Sequence, residues 1–201
     1  MNKTTNYLRA CAVAFAVLGF AAPVLAHPAQ GASIGFLAGF AHPLSGFDHC
    51  LALLTVGLLA SQQHRRTPLA LPMACLGATA VGVILGAHAG GFAQVELGIL
   101  TSLVVCGALL LVGSRIPMWA GAALIAGFAL FHGYAHGTDL DAGVSALPFT
   151  LGVVLASALL LGIGAAMGHV ARQFGGATGR RLVCASGAIV SLAGIASIAL
   201  Q

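Results

Sequence analysis

Charged residues are scarce in this chain. Lys, Arg, Asp and Glu make up 6% of its 201 residues, and only one of them is a lysine. A soluble domain carries about 25% charged residues, so this composition excludes an ordinary soluble protein. The positive charges form no basic patch and come with no run of aromatic residues, which excludes a nucleic-acid-binding surface.

Paired-cysteine motifs and phosphate-binding loops are also missing. The cysteines stand singly in apolar segments without Cys-x-x-Cys spacing, so we expect free thiols that pack as small hydrophobic groups. Cys50, which follows His49, could alternatively be a soft metal ligand. No Gly-x4-Gly-Lys-Ser/Thr segment occurs, and the chain therefore has no P-loop for ATP.

Long apolar runs dominate what is present, since hydrophobic residues make up 59% of the chain. A helix needs about 20 apolar residues to span a bilayer. Six segments qualify: residues 35–60, 69–87, 95–112, 117–136, 146–168 and 182–200. Glycines and arginines mark the breaks between them, as at residues 175–181. The sequence predicts an all-α integral membrane protein, with a six-helix bundle in residues 27–201.

The first 26 residues have the pattern of a secretory signal peptide. Lys3 and Arg9 form a positively charged start, the apolar stretch runs from Ala10 to Phe20, and Val24-Leu25-Ala26 is the candidate cleavage site. We predict cleavage after Ala26, which would place His27 at the mature N-terminus. The alternative is an uncleaved first transmembrane helix.

The arginines predict how the bundle is oriented. If the mature N-terminus is periplasmic, every later arginine falls on the cytoplasmic side, and the loops 88–94 and 138–145 have no Lys or Arg. This is the positive-inside pattern, and it predicts a location in the bacterial inner membrane. The arginines concerned are Arg65, Arg66, Arg115, Arg172, Arg180 and Arg181.

Two polar clusters, residues 42–49 and 131–139, interrupt the apolar segments. Ionisable groups at membrane depth are expensive and usually functional. Two histidines of the second cluster are spaced i, i+4 and share a helical face with an aspartate at i+7, as suits a divalent transition metal. The candidate metal ligands are His42, Asp48 and His49 in the first cluster and His132, His136 and Asp139 in the second.

The first cluster cannot bind one ion in a straight helix. His42 and His49 would then lie roughly 10 Å apart along the axis. Pro43 and Gly46 between them predict a bend or an unwound turn, whose freed carbonyls could also bind metal. Asp48 could instead orient an imidazole from a neighbouring helix.

Three further residues are candidate metal contacts on the outer side: His27, His88 and Glu96. His88 could instead make a hydrogen bond between helices or lie at the interface. Glu96 could extend towards the boundary of the bilayer. Asp139 and its neighbour Asp141 could also act as an acidic loop that attracts cations.

The two clusters resemble the motifs of the HupE/UreJ family of nickel and cobalt permeases. Its His-x5-Asp-His motif is matched by His42, Asp48 and His49, and its Phe-His-Gly-x-Ala-His-Gly motif by residues 131–137. His27 followed by proline is a further similarity. Asp139 stands where the family usually has Glu, which leaves a metal contact at that position open.

The resemblance implies a six-helix secondary permease that carries Ni²⁺ or Co²⁺ inwards and supplies enzymes such as hydrogenase or urease. It implies no enzymatic activity and no permanently bound cofactor. The choice between the two ions, the energy coupling and the oligomeric state stay open. The alternatives are an intramembrane zinc hydrolase acting on a lipid and a haem protein, although a haem needs only one axial histidine from each helix.

Overall fold

The computed structural model describes residues 32–63, 69–90, 94–112, 116–141 and 143–200. The predicted signal peptide, His27 and three of the orientation arginines (Arg65, Arg66 and Arg115) lie outside the described residues.

The secondary structure of these residues is entirely α-helical. The helices are α1 (Ala32–Ser45), α2 (Phe47–Gln62), α3 (Ala70–Ala89), α4 (Val95–Val112), α5 (Met118–Thr138), α6 (Ala146–Gln173) and α7 (Gly176–Ala199). Helices α3 to α7 are each long and apolar enough to cross a membrane, and α1 with α2 would make a sixth, bent span. The prediction of an all-α membrane protein is confirmed, with five spans or six.

The bend predicted in the first apolar segment is present: residues 35–60 are divided at Gly46, where α1 and α2 meet at 81°. The helix pattern departs from the prediction at residues 175–181. The glycines and arginines of residues 175–181 predicted a break, but α7 begins at Gly176. Gly175 makes the turn with a φ of 74°, a backbone conformation that suits glycine, so the connection between α6 and α7 is short.

Helices α3 and α5 form the most extensive contact in the bundle. Gly82 and Gly86 of α3 face Gly133 and Gly137 of α5, and a Cβ on any of the four would lie within 3.0 Å of the opposite backbone. Small residues let helix backbones approach closely in a bilayer. Helices α3 and α5 therefore touch backbone to backbone.

A second pair is formed by α6 and the two halves of the bent segment, α1 and α2. Its close contacts are again at glycines, with Gly39 and Gly57 on one side and Gly152 and Gly164 on the other. In both pairs the contacting residue numbers rise together, so the paired helices run parallel. A third pair, α4 with α7, is antiparallel.

The two ends of the bundle carry opposite charges. The arginine end comprises Arg172, Arg180 and Arg181 around the junction of α6 and α7. There the Arg172 guanidinium donates a hydrogen bond to the Ser61 carbonyl near the end of α2. The acidic end comprises Glu96, Asp139 and Asp141 at the opposite ends of the helices. This asymmetry agrees with the charge pattern that predicts the orientation.

Candidate metal site

The break at Gly46 places both histidines of the first cluster, His42 and His49, against the same histidine of α5, His136. Gly46 has extended backbone (φ −88°, ψ 117°) and precedes α2 directly. His42 lies in the last turn of α1, and His49 lies in the first turn of α2. Both rings contact the ring of His136, with centroid distances of 4.7 Å for His42 and 4.5 Å for His49. The bend thus removes the separation that a straight helix would impose.

Cys50 lies beside the break between α1 and α2. Its thiol donates to the carbonyl of Pro43 at 3.2 Å and lies 3.6 Å from that of Leu44. The Ser45 hydroxyl donates to the carbonyl of His42 at 2.7 Å. Carbonyls at the end of α1 are therefore satisfied by local side chains, and the thiol of Cys50 stabilises the bend.

Both histidines of the second cluster are buried on one face of α5. His132 is 8% exposed and His136 is 2% exposed. The Ser102 hydroxyl of α4 donates to the carbonyl of Ile99 at 2.6 Å, and its oxygen lies 2.8 Å from Nε2 of His132. With its own hydrogen used in this way, Ser102 accepts the Nε2–H of His132. That tautomer leaves Nδ1 of His132 free to bind a metal.

Asp48 orients His49, its neighbour in sequence. The carboxylate oxygen Oδ1 accepts a hydrogen bond from Nδ1 of His49 at 3.0 Å. The other ring nitrogen, Nε2, is buried without a hydrogen-bond partner, and in the neutral imidazole with its proton on Nδ1 it carries a free lone pair. Nδ1 of His136 is buried without a partner in the same way. Nitrogens in this state are suited to receive a metal ion.

The four rings form what we call the imidazole row, in the order His42, His136, His49 and His132. Successive ring centroids lie 4.7, 4.5 and 4.9 Å apart. Among the residues the structure describes, no three His, Cys, Asp or Glu side chains are placed to hold one ion together. The row is a sequence of adjacent ligands and not a closed cage.

Asp139, at the acidic end of the bundle, lies beside His42, the first ring of the row. Its carboxylate Oδ2 lies 3.6 Å from Nε2 of His42. The Asp139 side chain is 60% exposed and that of His42 is 33% exposed. The row therefore begins at a mouth that is open to the surroundings and continues to rings that are buried.

His88 and Glu96 lie away from the imidazole row. His88 is exposed at the end of α3, and its Nδ1 lies 2.7 Å from the carbonyl of Ile84 in the same helix. Glu96 is exposed in the first turn of α4. Both side chains lie at the same end of the bundle as Asp139.

A cavity of about 30 Å³ continues from the imidazole row into the bundle. Its polar lining includes Thr79, Ser102 and Ser157, with the thiols of Cys75 and Cys106. These hydroxyls are not among the site residues predicted from the sequence. In the sequence these residues are distinguished only as hydroxyl side chains within apolar helices. They could not be identified as cavity residues, because the packing decides which face of each helix is buried.

The chain matches known proteins over most of its length. The family model described as HupE / UreJ protein matches residues 15–197. Protein HupE from Rhizobium leguminosarum bv. viciae is 35% identical over 179 residues, which is 88% of this chain and 91% of that protein. No solved structure matches the chain significantly. Since both matches extend over nearly the whole sequence, the chain belongs to the HupE/UreJ family.

Proposed function

We propose that this protein is a secondary permease that takes up Ni²⁺ or Co²⁺ from the periplasm across the bacterial inner membrane. The observation that carries the proposal is the imidazole row, which leads from an exposed carboxylate into the buried core. Imidazole nitrogen suits nickel and cobalt. In this proposal the ion is the transported substrate, and no cofactor is permanently bound.

Entry begins at Asp139 and His42. Asp139 attracts the hydrated cation at the mouth, and exposed Asp141 adds a second negative charge there. His42, 3.6 Å from Asp139, then replaces one of the water ligands. In this scheme the carboxylate contributes charge, so an aspartate can serve in place of the glutamate usual in the family.

We assign a weaker capture role to the other candidates at the same surface. Nε2 of His88 stays available there, because Nδ1 is the nitrogen that faces the Ile84 carbonyl. Glu96 is exposed in the first turn of the next helix. His27 lies outside the described residues, and we assign it to this group from its position in the sequence.

The ion then moves along the row with few protein ligands at a time. His136 contacts both His42 and His49, so it can share an ion with either ring. Conduction requires binding that is weak enough for release. A row of rings meets that requirement better than a closed cage, in which one ion would be held by many ligands at once.

Two separate helix pairs carry the row. His42 and His49 belong to α1 and α2, which pack on α6, whereas His132 and His136 belong to α5, which packs on α3. Each pair is held internally by backbone contacts at glycine. A small movement of one pair against the other would change the ring distances, as alternating access requires.

No observation favours the zinc hydrolase. A catalytic zinc site needs three protein ligands around an open position, and the described residues contain no such group. The haem alternative has no supporting feature either. A haem needs only one axial histidine from each helix, whereas here four rings lie in a row with neighbours within 5 Å of one another. We therefore propose a transporter without enzymatic activity.

Uptake of radioactive nickel by cells that express the chain tests this function. The test variant is His42→Ala/His49→Ala, which removes two alternate members of the row, compared at matched abundance in the membrane. His169→Ala is the control, because His169 is exposed at the arginine end beside Arg172. We expect background uptake in the double variant and normal uptake in the control. Normal uptake in the double variant, or no uptake of either nickel or cobalt by the wild type, would contradict the proposal.

A further inference from the structure

The cavity that continues from the imidazole row is lined by further potential ligands besides the histidines. On α3, Cys75 and Thr79 are spaced i, i+4, and on α4, Ser102 and Cys106 have the same spacing, so each pair shares a helical face. All four side chains line the cavity. Their relative exposures are between 0% and 3%.

The two thiols lie one turn deeper than the two hydroxyls. Ser102 is at the level of His132, to which it is hydrogen-bonded, and the backbone of Thr79 touches Gly133. Helix α3 runs towards the acidic end and α4 runs away from it. Cys75 lies one turn before Thr79 in α3, and Cys106 lies one turn after Ser102 in α4. Because the two helices run in opposite directions, both thiols lie on the arginine-end side of the row.

Ser157 provides an independent indication that a ligand belongs in this cavity. It lies on α6, lines the cavity and is 0% exposed. Its hydroxyl oxygen has no hydrogen-bond partner, although a buried hydroxyl without a partner costs about 1–3 kcal/mol. The cavity volume of about 30 Å³ is enough for roughly two water-sized particles. A bound ion or water would supply the missing partner.

We propose that Cys75 and Cys106, with the hydroxyl of Ser157, form a second cation-binding station that receives the divalent transition-metal ion after His132. The inference rests on the proposed permease function and deepens it. Sulfur and nitrogen ligands both bind late first-row metals, so the ion can pass from imidazole to thiolate. Each thiol that binds loses its proton as the metal–sulfur bond forms, and an imidazole nitrogen that the ion has just left can accept it.

Cobalt is the probe, because thiolate ligation of Co²⁺ gives charge-transfer absorption in the near ultraviolet that imidazole ligation does not. The experiment uses the purified full chain in detergent, titrated with Co²⁺, with total binding measured by equilibrium dialysis. We expect the absorption in the wild type and in the control Cys50→Ser/Cys184→Ser. We expect it to be lost in Cys75→Ser/Cys106→Ser, while binding to the histidines persists.

The two proposals fail in different ways. Cobalt binding without thiolate absorption in the wild type, or absorption that survives in Cys75→Ser/Cys106→Ser, would overturn the second station and leave the permease standing. No binding and no uptake would overturn both. The single variants Cys75→Ser and Cys106→Ser each remove one sulfur, and they decide the assignment if the double variant does not fold.

Transport kinetics give a second readout. Because the station acts after entry, we expect Cys75→Ser/Cys106→Ser to lower the maximal uptake rate about tenfold or more. The half-saturating nickel concentration should change less than twofold. A variant in which only the half-saturating concentration rises would place the thiols at the entrance and contradict this inference.

Discussion

The imidazole of His49 faces that of His136 across the boundary between two helix pairs, with ring centroids 4.5 Å apart. His49 lies in the bent segment of α1 and α2, which pairs with α6, and His136 lies in α5, which pairs with α3. Because each pair is closed by backbone contacts at glycine, the separation of these two rings depends on how the pairs meet.

Gly133→Ala should destabilise the protein by about 1–3 kcal/mol, as overpacking does elsewhere. The new Cβ would collide with the carbonyl of Thr79 on α3, and a backbone carbonyl cannot move aside easily. Gly127→Ala on the same helix is the control, because its Cβ would meet nothing within 4 Å. The thermal unfolding midpoint of the purified protein measures the difference, and equal midpoints would contradict the close contact.

Ser102→Ala should weaken nickel binding about 10- to 100-fold, the usual effect of losing a partner that orients a metal-binding histidine. The hydroxyl accepts the Nε2–H of His132 and so fixes which ring nitrogen is free. Equilibrium dialysis of the purified protein against nickel measures the binding. Ser186→Ala is the matched control, since Ser186 is exposed and donates only to Leu182 of its own helix. Equal effects of the two substitutions would refute the role of Ser102.

Cys50→Ser should leave nickel uptake nearly unchanged, whereas Cys50→Val should reduce it strongly. Serine can still donate to the carbonyl of Pro43, as the thiol does, but valine cannot. An unsatisfied carbonyl at the break costs about 1–3 kcal/mol and would loosen the bend that places His42 against His136. If both variants lose uptake equally at matched abundance, Cys50 acts as a metal ligand instead.

Asp139→Asn should raise the half-saturating nickel concentration about tenfold, because the mouth loses the charge that concentrates cations beside His42. Asp139→Glu keeps that charge and should keep near-normal uptake. The difference between Asp139→Asn and the wild type should shrink at high ionic strength, since salt screens exposed charges. A loss of uptake in Asp139→Glu would show that the carboxylate binds the ion directly with a fixed reach.

Much of the fold could be predicted from the sequence, because apolar run length identifies helices in a bilayer almost without reference to packing. The run at residues 95–112 coincides with α4. The spacing of His132 and His136 predicted a shared face, and both are buried on α5. Pro43 and Gly46 predicted the bend, and the chain turns by 81° at Gly46.

The partners of these groups could not be predicted, because they depend on which helices meet. One alternative from the sequence was that Asp48 orients a histidine from another helix, and in the structure it contacts His49 of its own helix. Nothing in the spacing of Ser102 indicates that it reaches His132 from α4. The depth of Cys75 and Cys106 likewise follows from the opposite directions of α3 and α4.

The parallel pairing of helices that are not consecutive has a consequence for biosynthesis. Helix α3 emerges from the ribosome before α4 and cannot meet α5 until both later helices are made. The bent segment of α1 and α2 must wait longer, until α6 is complete. During that interval its glycines and the imidazoles of His42 and His49 have lipid or the insertion machinery as their neighbours. Assembly of the imidazole row is therefore a late event in translation, and a nascent chain that stops after α5 would hold only half of the row in its final packing.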